Sequence, residues 1–204
     1  MNFLAHAYLS GNNEKIITGN FIADWVKGNK KDNYPDQISR GIVLHRAIDS
    51  FTDKHHIYRK SKLRLASTYH KYSGVIIDII YDHFLAIGWS KFSSISLKDF
   101  TNLVYLSLVK NYYHLPVRIK FFLPNLIAVD RLGSYAKVEG IHHALEIMVR
   151  RTSLPGFTNI AIKIMLYNYK EFEIEFSEFF QELIIYLNKE YNQDTIQTHN
   201  IFPV

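Results

Sequence analysis

The amino-acid sequence predicts an all-α protein folded as one domain. Three observations carry that prediction. Apolar residues recur three and four positions apart along the main stretches, as on the face of a helix. No run alternates cleanly between turn clusters, as a half-buried strand would. The 204 residues, 48% of them hydrophobic and 15% aromatic, suit one sizeable core rather than a disordered chain.

Taken in order, Met1 to Leu9 is a short apolar segment containing His6, ended by Ser10-Gly11-Asn12. Asn13 to Val26 reads as a helix that Gly28 stops. A polar loop with three lysines follows, and Pro35 opens a central helix over about Asp36 to Thr52. After a bend near Asp53, helices are expected over His56 to Lys71 and Val75 to Gly88. Ser96, with Asp99 three residues on, caps a helix reaching about Asn111. Pro116 starts the next piece, and Pro124 is expected to kink or end it. Tyr135 to Arg151 is a further helix, the SLPG run at Ser153–Gly156 is a turn, and Phe157 to Tyr191 makes one long helix or two. The stripe Phe172, Phe176, Phe179 and Phe180 reads as core packing, and the tail after Asn192 as frayed.

The chemistry concentrates in two apolar helices. In GIVLHRAIDSFTD (Gly41–Asp53), His45 and Asp49 stand one above the other on a single face. In VIIDIIYDHFLAI (Val75–Ile87), Asp78 and Asp82 are again four apart, with His83 next in sequence. A buried imidazole or carboxylate is costly unless it finds a partner. Either these groups hydrogen-bond one another within the core, or they converge on a shared divalent metal, together with His6, Asp24 and Asp53. The chain has no cysteine, so disulfides and thiolate sites are excluded and any metal takes nitrogen and oxygen ligands. Such a mixture suits Mn²⁺, Mg²⁺, Fe²⁺ or Zn²⁺, and phosphoester hydrolysis is the chemistry it serves. Arg46 projects about 100° from His45 on an ideal helix. From there it either clamps a phosphate or pairs with Asp49 or Asp53. His55 and His56 read as exposed loop histidines; His142 and His143, on a helix with no nearby acid, have no assigned role.

The formal net charge of +5 is compatible with an acidic partner, and basic residues from Lys27 to Arg64 bracket the central motif. Nucleic-acid signatures are absent, as are nucleophile-elbow, phosphate-loop and dinucleotide fingerprints. No apolar run reaches the roughly 18–20 residues that span a bilayer, and the first residues lack a signal-peptide pattern; the chain reads as cytoplasmic.

Four motifs in order, MNFLAH at the start, GNFIADWVKG (Gly19–Gly28), GIVLHRAIDSFTD (Gly41–Asp53) and DHFL with Trp89 (Asp82–Trp89), resemble the acyl carrier protein phosphodiesterase family. Fainter similarity continues through Leu132, Tyr135, Gly140-Ile141, Ala144-Leu145 and Arg151. The resemblance implies a helical bundle related to the HD-domain phosphohydrolases, although His45 is followed by Arg46 where HD domains have aspartate. It implies a divalent metal, manganese first with magnesium or iron as alternatives. It also implies hydrolysis of the phosphodiester joining 4′-phosphopantetheine to a serine of holo-acyl carrier protein. On that basis His6, Asp24, His45, Asp49 and Asp82 are the expected metal ligands, with Arg46, Asp53 and His83 as catalytic residues. The rivals are a phosphohydrolase of a nucleotide or another small phosphoester, and a helical module that binds acidic proteins without catalysis.

Overall fold

The structure, a computed structural model, describes residues 2–191; the expected frayed tail lies outside them. Among the described residues every regular element is helical. The helices are α1 (Phe3–Tyr8), α2 (Glu14–Ile22), α3 (Asp36–Lys54), α4 (His56–Tyr69), α5 (Ser73–Ile87), α6 (Leu97–Lys110), α7 (Val117–Ala128), α8 (Arg131–Ser134), α9 (Val138–Arg151), α10 (Thr158–Tyr167) and α11 (Tyr169–Tyr191). Short 3-10 turns, Ala23–Trp25 and Gly28–Asn33 among them, join several of these.

Local chemistry sets the boundaries. The Asn13 side chain accepts from the Lys15 and Ile16 amides and starts α2, and Ser96 accepts from the Asp99 amide and starts α6. The expected single helix over Asn13 to Val26 instead tightens after Ile22 into the 3-10 turn that carries Asp24. Pro124 stays inside α7 on an exposed position, where water can satisfy the carbonyl that loses its donor. The last segment is two helices, broken at Asn168.

The core forms around α5, which packs on α1, α4, α9 and α11. Ile76, Ile77, Ile79, Ile80, Tyr81 and Leu85 are all at most 1% exposed. Each such side chain contributes about 1.5–3 kcal/mol by leaving water. The phenylalanine stripe of α11 is core, as its spacing suggests: Phe172, Phe176, Phe179 and Phe180 are buried. Helix α4 is tied to α11 by a buried carboxylate, Glu175, which accepts from Arg64 at 2.6 and 2.8 Å and from Ser61 at 2.5 Å. Arg64 and Lys60, two of the basic residues read as a possible docking surface, are thus engaged in holding helices together.

Helices α2 and α3 cross backbone to backbone. A Cβ on Gly41 would lie 2.2 Å from the Ile16 carbonyl oxygen, and one on Gly19 would lie 2.0 Å from that of Ile38. Only glycine at both positions lets the helices approach so closely. That crossing fixes where the polar side chains of the two helices meet.

Candidate active site

One turn beyond Gly41, His45 points from α3 into the crossing, where Asn20 of α2 receives it. The Asn20 amide nitrogen donates to the His6 carbonyl at 3.0 Å and to Ser10 Oγ at 2.8 Å. Ser10 Oγ in turn donates to that same carbonyl at 2.8 Å. With its nitrogen so fixed, the amide must present oxygen to the histidines. Asn20 Oδ1 accepts from His6 Nδ1 at 2.8 Å and from His45 Nδ1 at 3.0 Å. The two imidazoles stack with centroids 4.0 Å apart. Both therefore carry a proton on Nδ1 and turn Nε2 toward the same place.

Carboxylates meet them there. Asp49 Oδ1 is 3.2 Å from His6 Nε2, and Asp49 Oδ2 is 3.1 Å from His45 Nε2. Asp24 Oδ1 reaches the same His45 nitrogen at 3.2 Å from the turn after α2. Burial and the neighbouring His45 charge hold His6 down at about 4, so it is neutral at pH 7. Burial also acts to lower His45, but hydrogen bonds to Asp24 and Asp49 outweigh it and raise it to about 9. Burial alone would raise Asp49, yet the hydrogen bond from His45 and the nearness of His6 hold it well below the usual carboxylate range. The hydrogen bond from His45 lowers Asp24 in the same way.

A divalent cation fits this set on two grounds. His6 Nε2 is buried with no hydrogen-bond partner, so its lone pair faces an Asp49 oxygen with no proton between them. Two acceptors in that arrangement repel unless a cation joins them. The spacing also matches: donors bonded at about 2.1 Å to one ion stand about 3.0–3.4 Å apart at neighbouring positions. One ligand atom each from His6, His45 and Asp49 lies within 4.8 Å of the others. Imidazole and carboxylate suit Mn²⁺, Fe²⁺ and Zn²⁺, and Mg²⁺ less well.

The cluster opens into a cleft of about 430 Å³ whose walls include Asp24, His45, Asp49, Asp53, Tyr58 and Asp78. Asp53 stands exposed on that wall, and Tyr58 donates to Asp78 Oδ1 at 2.8 Å.

Three expected site residues are placed elsewhere. Asp82 is fully buried and accepts from the Leu4 and Ala5 amides at 2.9 and 3.0 Å. It caps α1 from α5, standing where a side-chain cap would, since Asn2 makes no cap bond of its own. Both its oxygens are engaged there and not at the cluster, so Asp82 supports His6 through α1. Burial pushes its carboxyl up to about 7 against the pull of those amides. His83 is committed at both ring nitrogens, to the Tyr135 carbonyl at 2.8 Å and the Tyr169 hydroxyl at 3.0 Å. Arg46 neither faces the cluster nor pairs with Asp49 or Asp53; it donates to the Val26 and Gly28 carbonyls, both at 2.8 Å. It thereby braces the turn that carries Asp24.

Two minor expectations also change. His55 is buried against Phe51 and Phe179, with Nε2 3.1 Å from Glu182, rather than exposed. His142 does have an acid nearby, Glu146 at 4.0 Å, and it bonds Thr158. The residue missed altogether is Asn20, a neutral amide inside a helix. Its signal was position: it lies four residues before Asp24, on the same face.

Known proteins match this chain along most of its length. A relative from Yersinia pestis described as acyl carrier protein phosphodiesterase is 31% identical over 152 residues, covering 74% of this chain and 79% of its own. One from Photorhabdus laumondii with the same description is 28% identical, covering 88% and 91%. Another from Pectobacterium atrosepticum is 29% identical, covering 90% and 96%. No solved structure matches. The acyl carrier protein phosphodiesterase family itself matches residues 1–183, so the chain belongs to that family.

Proposed function

We propose that this protein hydrolyses the phosphodiester joining 4′-phosphopantetheine to a serine of holo-acyl carrier protein, in a reaction that depends on a divalent metal, manganese first. The observation that carries the metal is the pair of histidines whose Nδ1–H groups both donate to Asn20 and whose Nε2 atoms converge with Asp49 and Asp24. His6, His45, Asp49 and Asp24 would hold the ion. A divalent ion bound there supplies Lewis acidity toward phosphate and lowers the pKa of water.

The chain's own residues account for the rest. Asn20 keeps both imidazoles in the ligating tautomer. Asp82 holds the start of α1, and with it His6. Asp24, Asp49, Asp53 and Asp78 make the cleft acidic, so an anionic phosphodiester enters only when cationic charge offsets them. The paired-histidine, paired-carboxylate set on packed helices also supports kinship with HD-type phosphohydrolases. Exposed Lys27, Lys30, Arg40, Lys54 and Arg59, on α3 and the segments next to it in sequence, support an acidic protein as the substrate.

The test is to incubate the full chain and Mn²⁺ with holo-acyl carrier protein and, separately, with nucleotide phosphoesters. Mass spectrometry should show loss of the phosphopantetheine group from the carrier protein and no comparable turnover of nucleotides. Preferred cleavage of nucleotides would replace the substrate; no cleavage of any phosphoester would reduce the chain to a binding module.

A further inference from the structure

A second cavity, of about 610 Å³, lies beside the acidic cleft. Phe3, Trp25 and Met148 line both, so the two share a wall. The lining of the second is otherwise different in kind. Ile119, Phe121 and Phe122 extend its apolar surface, and its charged residues are arginines: Arg118, Arg131 and Arg151. Arg118 and Arg151 are exposed, and Arg151 stacks on the Phe122 ring at 5.4 Å.

Arg131 is not a surface arginine. It is 4% exposed, and its Nη1 and Nη2 are both buried without a hydrogen-bond partner. A buried guanidinium with idle donors is costly and presents an anion-binding fork. The turn that holds it is well defined. Asp130 takes the left-handed conformation at φ 41°, Tyr105 donates to Asp130 at 2.9 Å, and the Leu132 amide donates to Tyr105 at 2.9 Å. Arg131 is therefore held at the cavity by its backbone, with Nη1 and Nη2 uncommitted.

An idle buried cation set beside apolar walls fits an anion carried on a chain that has methyl and methylene groups among its polar ones. We propose that this cavity holds the prosthetic arm as the phosphate ester that hydrolysis releases, with the phosphate on Arg131 and the chain's amide and methyl groups along Phe3, Trp25 and Met148. The inference rests on the function proposed above. In that reaction water oxygen bonds to phosphorus, the bond from phosphorus to the serine oxygen breaks, and a proton passes to that oxygen. The arm leaves as a monoester, more negative than the diester it came from. The cleft wall carries Asp24, Asp49, Asp53 and Asp78, whereas Arg131 behind the shared wall attracts the added charge. The fold thus offers the product a separate, cationic place to go.

Calorimetry of the full chain with 4′-phosphopantetheine, pantetheine, inorganic phosphate and decanoate, with Mn²⁺ and with chelator, tests this. Phosphopantetheine should bind more tightly than the other three under both conditions. Arg131→Met should weaken it at least tenfold and leave pantetheine unchanged, and should raise its inhibition constant in turnover to match. Ile147 is a half-buried lining residue, so Ile147→Trp obstructs the cavity without entering the core; it should weaken both pantetheine compounds and serves if the Arg131 variant does not fold. Equal affinity of parent and Arg131→Met for phosphopantetheine would overturn the proposal. So would phosphate alone binding as tightly, or decanoate binding better. Cleavage of holo-carrier protein without this pocket would refute the pocket and leave the function; pocket binding without cleavage would do the reverse.

Discussion

Adding a single methyl group at Gly41 should open the site without touching any of its functional groups. The Cβ of Gly41→Ala would fall 2.2 Å from the Ile16 carbonyl oxygen and 2.8 Å from the Asn20 backbone nitrogen. Ordinary contact begins at 3.4 Å, so α2 and α3 must part by about 1.2 Å. The bonds across the crossing, His45 to Asn20 at 3.0 Å and His45 to Asp24 at 3.2 Å, would then lengthen past hydrogen-bonding range. His45 to Asp49, within α3, would keep its 3.1 Å. Overpacking of this kind costs about 1–3 kcal/mol of stability, and a 1 Å misplacement costs about 100-fold in rate. Calorimetric titration with Mn²⁺ should show affinity down about 10–100-fold, with kcat/KM lower by a similar factor or more. Gly156→Ala is the control, because its Cβ meets only Val149 at 3.9 Å and should change neither. A Gly41→Ala protein that binds Mn²⁺ as tightly as the parent would refute the claim that the crossing sets the site.

Three further outcomes are expected. Asn20→Ala removes the acceptor of both histidine Nδ1 protons, and Mn²⁺ affinity should fall about 10–100-fold; unchanged affinity would show that the amide does not orient the ligands. Asp82→Asn should lower the urea midpoint, by about 1–3 kcal/mol, because one of the two amides it caps loses its acceptor, yet leave one Mn²⁺ bound per chain, whereas Asp49→Asn should abolish binding; the opposite pattern would return Asp82 to the ligand set. Burial alone would raise the Glu175 carboxyl, but Arg64, Ser61 and Lys60 outweigh it and hold it below its ordinary value. A depressed folded pKa gives stability that is present above the unfolded pKa, about 4.3, and lost as pH falls through the folded one. The advantage of the parent over Glu175→Gln in urea should accordingly shrink on acidification below pH 4.3; parallel curves would contradict it.

Much of this site was legible because helical spacing identifies faces. His45 and Asp49, four apart on an apolar helix, had to share a direction, and the structure joins them with His6 and Asp24. Spacing does not identify partners. Asp82 and His83 show the same buried polar pattern, yet helix amides satisfy one, and a carbonyl and a tyrosine hydroxyl satisfy the other. Arg46 was ambiguous for a similar reason: its long side chain reaches loop carbonyls that no sequence pattern links to it. Asn20 escaped notice because a neutral amide carries no charge cost to flag it, though its neighbour Gly19 marks the close approach of α3. The longer helices were readable, whereas the short α1 and α8 were not identified as helices. The less regular pieces, such as the 3-10 turn bearing Asp24, depend on tertiary contacts that the sequence does not spell out.

The central claim is that His6 and His45 ligate one divalent ion together with carboxylate. Pulsed electron paramagnetic resonance of Mn²⁺ bound to the full chain reads it directly, through hyperfine coupling to imidazole nitrogen. The account predicts coupling to two imidazoles, reduced to one in either His6→Ala or His45→Ala. Absence of nitrogen coupling, or a spectrum that neither substitution alters, would contradict it.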